Sequence, residues 1–413
     1  MRNLKILLCT AVIVSAGAGY IMEIYRPEKK IDERRYLQEI APGMTFADKT
    51  GDPPHYLSAD KTVVFNSYDM PPLIRGYAGP IKVLLALAPD GRISGIKLLE
   101  HKETKNYVHY METLEYLKQF IGKSFNDPFE ADSDVDSISR ATVSVEALAK
   151  TVRESSRTVA AKVLNLDVRQ KGLSKGIGIG WLLYLMLFTL SFVLYFVSRK
   201  SRKFLRLRNL TMLLGILMIG LYLSSPFSIL HVFNLILLQP SSSAIWYAII
   251  ISTTLSVIFA GRFYCGWLCP FGAISEFIGK LPLKKWDISE ETDSRVRDLK
   301  YVILGLAAVV VFISRRADFG NYETYVTLFS FHGNLIAWTL VAMTLLANIR
   351  IERFWCRYLC PVAALTGILS RKVEGYHSRH DCPMANKPMP LISECIRCNR
   401  CYRGTTDENS PTK

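Results

Sequence analysis

The apolar residues of this chain gather into long runs in its second half, at about 177–198, 210–224, 243–260, 300–314 and 334–349. With flanking residues, each is long enough or nearly long enough to cross a hydrocarbon core of about 30 Å as a helix. The pattern predicts an all-α polytopic membrane domain over 177–372 with about five spans. Ser225 to Leu238 is also apolar, but Pro226 interrupts it, so this segment is expected to lie at the surface or fold back into the bundle. A further apolar run, Leu4 to Met22, begins within the basic start Met1 to Lys5. It predicts, over 1–25, either a retained anchor or a secretion signal cut at Ala16-Gly17-Ala18, and both export the chain beyond it.

Between these regions, 41–171 has globular composition. Ile81 to Ala88 and Arg92 to Leu99 read as two strands around an Asp90-Gly91 turn. Tyr107 to Ile121 and Val145 to Leu164 have helical spacing. An α+β domain of about 130 residues is expected.

Half of the 413 residues are hydrophobic and the mean hydropathy is positive, so the chain is too apolar to be simply soluble. The formal charge of +15 does not mark a nucleic-acid partner, because acidic and basic residues nearly balance between Glu28 and Arg169. The excess lies in the membrane half and the tail. Arg199, Lys200, Arg202, Lys203, Arg206 and Arg208 follow an apolar run and read as a cytoplasmic loop. That orientation makes the α+β domain periplasmic and the tail cytoplasmic, in a multi-pass protein of a bacterial inner membrane. Lys280, Lys284 and Lys285 agree with it, and Arg315 and Arg316 do not.

Eight of the nine cysteines lie after residue 260, which is not the pattern of a disulfide-stapled exported domain. Cys9, in the first apolar run, reads as packing. Arg262-Phe-Tyr-Cys-Gly-Trp-Leu-Cys-Pro270 recurs as Arg353-Phe-Trp-Cys-Arg-Tyr-Leu-Cys-Pro361, an internal repeat. Thiols four apart share a helix face, and the proline ends or bends the helix. Cys265, Cys269, Cys356 and Cys360 therefore form one set of four; an iron–sulfur centre and thiol–disulfide or assembly chemistry are both open to it. The tail, 373–404, carries Cys382-Pro383 and then Cys395, Cys398 and Cys401. This spacing is that of a ferredoxin-like segment with one 4Fe–4S cluster, in preference to zinc. The last residues, 405–413, have the composition of a disordered tail. His231 and His332 fall toward the outer ends of spans, where a histidine serves as a polar anchor, a haem ligand or a quinol contact.

Two stretches of the α+β domain also carry candidate chemistry: Gly76 to Pro80 with His101 to Thr104, and Asp136 to Ser144. Taken alone, the glycines are turn formers, and Ser139 or Thr142 is a helix N-cap. Together they resemble the FMN-binding domain of sodium-pumping quinone reductases and nitrous-oxide-reductase accessory proteins. The resemblance implies FMN held by Gly76, Tyr77, Gly79, His101, Glu103, Thr104, Asp136, Ser139 and Ala141. It implies a phosphoester on Thr142 made by a flavin transferase. Arg140 stands where that family has glycine, which puts efficient attachment in question.

The exported FMN domain, the paired Cys-x-x-x-Cys-Pro motifs and the ferredoxin-type tail together resemble the NosR/NirI family. The first two parts also resemble the PceC-like proteins found beside reductive dehalogenases. The resemblance implies an electron-transfer component linking the quinol pool or a cytoplasmic donor to a periplasmic reductase, or to its maturation machinery. A redox sensor or a maturation factor is the alternative. The exported part is shorter than in the longer accessory proteins, and the tail lacks the first ferredoxin triplet. A bound quinone ranks first to bridge the hydrocarbon layer between the flavin and the inner face.

Overall fold

The computed structural model describes residues 2–25, 32–71, 73–76, 79–101, 110–131, 133–136, 138, 142–168, 179–199, 204–241, 243–331, 333–370, 382, 384 and 394–400. The chain divides into two compact units, one of 1–22, 178–233 and 244–413, the other of 23–177 and 234–243.

The first helix, α1, runs Arg2–Tyr25. In the smaller unit, α2 (Arg34–Ile40) precedes a four-stranded antiparallel sheet in sequence order: β1 (Tyr56–Leu57), β2 (Val63–Asn66), β3 (Lys82–Leu87) and β4 (Ile93–Glu100). The expected hairpin is β3–β4, with Leu85 opposite Ile96 and Gly91 in the left-handed region at φ +79°. One turn of helix follows, α3 (Leu114–Leu117), and then the long α4 (Thr142–Lys162). Helical spacing over 107–121 thus yields a single α-turn and a 3-10 turn, Lys118–Phe120, within the residues described there. Thr113 caps α3 through Tyr116 N–H, and Gly122 follows the 3-10 turn with positive φ, so the helix has little room to extend.

Both faces of the central strands β2 and β3 are buried, so these strands are nearly continuously apolar. Val63, Phe65, Val83, Leu85 and Leu87 pack under Val145, Leu148 and Val152 of α4, while Val64, Leu84 and Ala86 pack with Leu37 and Ile40 of α2. Gly95 of β4 lies so close to α2 that an added Cβ would overlap the Ile40 carbonyl oxygen. Gly95→Val is therefore expected to cost about 1–3 kcal/mol by overpacking. A lower thermal midpoint of the purified protein, with α2 detaching first, checks it.

The larger unit is helical. It contains α5 (Ile179–Ser198) and α6 (Leu205–Leu214), which continues without a break as a π-helix over Gly215–Tyr222. The interrupted segment at Pro226 leads into a short helix, α7 (Ile229–Ile236), and α8 spans Ala244–Ala260. The first cysteine motif is two short helices, α9 (Phe263–Trp267) and α10 (Pro270–Gly279). After α11 (Glu290–Arg297) and α12 (Leu299–Ser314) come α13 (Thr324–Ser330) and α14 (Leu335–Arg350). The second motif repeats the first as α15 (Phe354–Tyr358) and α16 (Pro361–Leu369).

All five apolar runs form helices, but among the described residues only Gly180–Ser198 and Leu205–Tyr222 are long and apolar enough to cross a membrane alone. The helices α8, α12 and α14 have 17, 16 and 16 residues. At 1.5 Å per residue each falls short of about 30 Å. Helices α13 and α14 meet at 105° and together make a broken span or a re-entrant loop. Two to three spans, rather than five full-length ones, are supplied by these helices on length and composition.

A candidate iron–sulfur site and a flavin domain

Each copy of the repeated motif places its second cysteine at a helix start. Cys269 is the N-cap of α10, and its Sγ accepts the Gly272 N–H at 3.4 Å; Pro270 occupies the first helical position. Cys360 caps α16 in the same way, accepting the Ala363 N–H at 3.4 Å with Pro361 first in the helix. Proline suits that position because its missing N–H would have had no partner there. Sulfur at a helix N-terminus meets unsatisfied N–H groups and the positive end of the dipole, both of which stabilise a thiolate.

The structure brings the four motif cysteines together. Burial pushes the Cys269, Cys356 and Cys360 thiols up, and Cys265 adds to the shift at each, as Cys356 does at Cys269 and Cys360. All four lie at short helices that follow the apolar spans. Among the described residues no three His, Cys, Asp or Glu side chains converge on a point that one metal ion would occupy.

The surroundings are cationic. Arg208, Arg262, Arg297, Lys300, Arg353, Arg357 and Arg397 are all buried, against the buried carboxylates Glu276, Asp293 and Glu394. Buried cations make the surroundings favourable to an anion, and a four-thiolate cluster is a net anion. The two repeat-equivalent arginines each have a carboxylate. Arg353 reaches Glu276 at 2.6 Å and the Cys265 carbonyl at 2.7 Å, and Arg262 reaches Glu394 at 3.1 Å. Arg353 sits in the left-handed region at φ 54°, which these bonds hold in place.

Glu276 is the hub of this shell. It accepts from Arg208 at 2.7 Å on both oxygens, from Arg353, and from Arg400 of the tail at 2.7 Å. Arg208 is thus a buried ion-pair partner rather than the exposed loop charge that its place in the basic cluster suggests.

In the tail, Cys382, Cys395 and Cys398 are described and Cys401 is not. Burial raises the Cys382 thiol to about 11, with Cys398 and Cys395 contributing, so these three share a neighbourhood. Segment 394–400 is held by Glu394 on Lys300 at 2.7 Å and by Asn399 on Tyr195 and Ser198 of α5. Residues 401–413, including the stretch expected to be disordered, lie outside the described residues.

Of the two histidines, His231 is completely buried, stacked between Phe227 and Trp246, with Nδ1 3.3 Å from the Ser228 carbonyl. This is a packed core histidine. His332 lies outside the described residues.

The smaller unit presents its candidate residues more sparsely. The Gly76 N–H donates to the Gly79 carbonyl at 2.7 Å, ahead of β3. His101 Nε2 lies 2.5 Å from Glu112, a partner that sequence spacing does not suggest. The Asp136 carbonyl accepts from Tyr116 Oη at 2.8 Å, which ties the approach to α4 onto α3. Thr142 is the first residue of the 21-residue α4. Tyr77, Glu103, Thr104, Ser139, Arg140 and Ala141 lie outside the described residues.

Comparison with known proteins assigns cofactor classes to both units. An FMN-binding domain matches residues 76–156, and a 4Fe-4S binding domain matches 242–289 and 331–376. The second match falls on the repeated motifs, so the cysteine set left open by spacing is the one within a 4Fe-4S domain; the tail triplet lies outside it. An uncharacterized protein of Methanocaldococcus jannaschii is 30% identical over 172 residues, which cover 37% of this chain and 64% of that protein. The regulatory protein NosR of Stutzerimonas stutzeri is 27% identical, over 40% of this chain and 25% of its own length. Protein NirI of Paracoccus denitrificans is 30% identical, over 40% of this chain and 27% of its own. The chain thus spans under two thirds of the first of these relatives and about a quarter of the other two.

Proposed function

We propose that this chain, a membrane flavo-iron–sulfur protein of the NosR/NirI type, carries electrons between the quinol pool or a cytoplasmic donor and a periplasmic respiratory reductase. The observation that carries the reading is the duplicated thiolate cap, Cys269 with Gly272 and Cys360 with Ala363, set inside a shell of buried arginines. Cys265, Cys269, Cys356 and Cys360 hold one 4Fe–4S cluster, and Cys382, Cys395, Cys398 and Cys401 hold a second. FMN is carried on Thr142, with Gly76, Gly79, His101 and Asp136 beside it and Tyr77, Glu103, Thr104, Ser139 and Ala141 completing its site. When bound, the flavin exchanges one or two electrons and each cluster one.

The protein's own residues place and tune these groups. Helix N-termini and arginines favour the negative thiolate sets, and burial keeps water off them. The flavin domain is periplasmic and the tail cytoplasmic, in a multi-pass inner-membrane protein whose domains are 41–171, 177–372 and 373–404. Close packing of α1 on α12, where Gly19 meets the Phe312 backbone, supports 1–25 as a retained anchor. A quinone between the helices bridges the hydrocarbon layer, and a flavin transferase attaches the FMN.

Anaerobic absorbance tests the reading. The purified protein is treated with a reduced quinol analogue, and the flavin and cluster bands are followed. Quinol should bleach both. Thr142→Val is expected to remove flavin fluorescence from the denatured polypeptide almost completely while leaving the iron content unchanged. If quinol leaves both cofactors oxidised and dithionite reduces them, the quinol route is wrong and a cytoplasmic donor or a sensing role replaces it.

A further inference from the structure

The two copies of the motif differ most sharply at the residue after the first cysteine: Gly266 in one, Arg357 in the other. The structure gives each a distinct neighbour. A Cβ on Gly266 would overlap the Ile396 carbonyl oxygen of the tail, and the next residue, Trp267, donates from Nε1 to the Arg397 carbonyl at 3.0 Å. The carbonyl of Gly266 itself accepts from Arg208 at 2.8 Å, which fixes its backbone. Arg357 instead fills the corresponding place in the second copy and binds Asp293 at 2.8 Å. The contacting pair Gly266–Ile396 is flanked in sequence by Cys265 on one side and Cys395 on the other.

We propose that Gly266 is the docking residue that seats tail segment 394–400, with its Cys395 and Cys398, against the first motif, so that the two cysteine sets adjoin as one relay, while Arg357 closes the equivalent seat in the second motif. Three further bonds point the same way. Glu394 joins Arg262 of the first motif, Arg400 joins Glu276 of α10, and Asn399 joins the end of α5, which packs on Phe263 through Tyr195. A side chain at 266 would force apart two backbones rather than bend a flexible neighbour, so its effect falls on the tail's seat. The relay itself rests on the reading that both sets hold iron–sulfur clusters; the docking contact does not.

The test uses the full-length protein in detergent under anaerobic conditions, comparing wild type, Gly266→Val and Trp267→Phe. Three quantities are read: the rate of tryptic cleavage at Arg397 and Arg400, iron per chain, and the electron paramagnetic resonance spectrum after dithionite. The wild type should resist cleavage and show spectra broadened by two neighbouring paramagnets. Gly266→Val should be cut at least about ten-fold faster, lose the broadening, and keep its flavin and the iron of the membrane set. Trp267→Phe, which loses one hydrogen bond to the tail, should be cut roughly five-fold faster. An uncut tail with unchanged broadening in Gly266→Val overturns the proposal. Should Gly266→Val yield no folded protein, an unchanged cleavage rate in Trp267→Phe overturns it instead. Wild type that holds its tail protected but binds no iron would refute the cofactor reading and leave the docking intact.

Discussion

Replacing Glu276 with glutamine is expected to destabilise the larger unit by about 3–5 kcal/mol, the range for breaking a buried ion pair from one side. The carboxylate is fully buried and answers three guanidinium groups, those of Arg208, Arg353 and Arg400. An amide has one oxygen to offer in place of two and no charge, so at least two buried cations lose their counterion. Burial by itself opposes ionisation of Glu276, but the charges of Arg353 and Arg208 outweigh it and hold the carboxyl well below its ordinary 4.5. A carboxyl depressed on folding contributes stability that is present above the unfolded value and lost as pH falls below it. The contribution of Glu276 is therefore complete at neutral pH and declines only below about pH 4.5. Thermal unfolding at pH 7 should show the loss. Glu291→Gln serves as the contrast, because its pair with Arg295 is 69–75% exposed and should move stability by less than about 1 kcal/mol. Equal melting temperatures for the Glu276→Gln variant and wild type would show that the hub is not structural.

The hub also shows where the two motif copies stop being equivalent. The repeat offset that relates Arg262 to Arg353 relates Glu276 to Gly367. The second copy therefore has no carboxylate at this place, and its Arg353 borrows Glu276 from the first. Arg262 of the first copy then takes its carboxylate from the tail, at Glu394. Each arginine is paired, and the pairing binds motif to motif and tail to motif. The duplicated element folds as one object because neither copy neutralises itself.

Sequence patterns reveal those parts of the protein whose signal is local. The β3–β4 hairpin shows in two apolar stretches around Asp90-Gly91, and the motif shows in a constant offset between two nine-residue stretches. Helix α4 and the five apolar runs follow from periodicity and length. Strands β1 and β2, of two and four residues, are too short to carry a period. The pairings of Glu276 link residues 68, 77 and 124 positions apart, and nothing in a one-dimensional pattern distinguishes such a glutamate from a surface one. Arg208 escapes for the same reason: it ends a basic cluster yet faces inward on α6. One signal for the tail's seat is present, the glycine-for-arginine difference at 266 and 357 inside an otherwise matching motif. His231 shows the limit of reasoning from residue type, since a buried histidine stacked between two aromatic rings needs no metal to account for it.

Cys360→Ser is expected to abolish the membrane cluster, and its readout in iron content makes it the sharper of the two large predictions. Cys360 caps α16 through the Ala363 N–H, and on the proposed reading its sulfur is a cluster ligand alongside Cys265, Cys269 and Cys356. Serine performs the first task better than cysteine, since a hydroxyl oxygen is a preferred N-cap acceptor. It performs the second poorly, because iron–sulfur clusters select soft thiolate ligands. A variant that loses about four irons per chain, the content of one cubane, identifies Cys360 as a ligand. Cys9→Ser, in α1 and exposed, should lose none. The competing account makes the motif cysteines small buried hydrophobes at helix starts. It predicts that iron stays at the wild-type level, with a stability cost of about 1–3 kcal/mol from the buried hydroxyl that both accounts share. Iron analysis separates the two, because only the loss of a ligand removes a cluster.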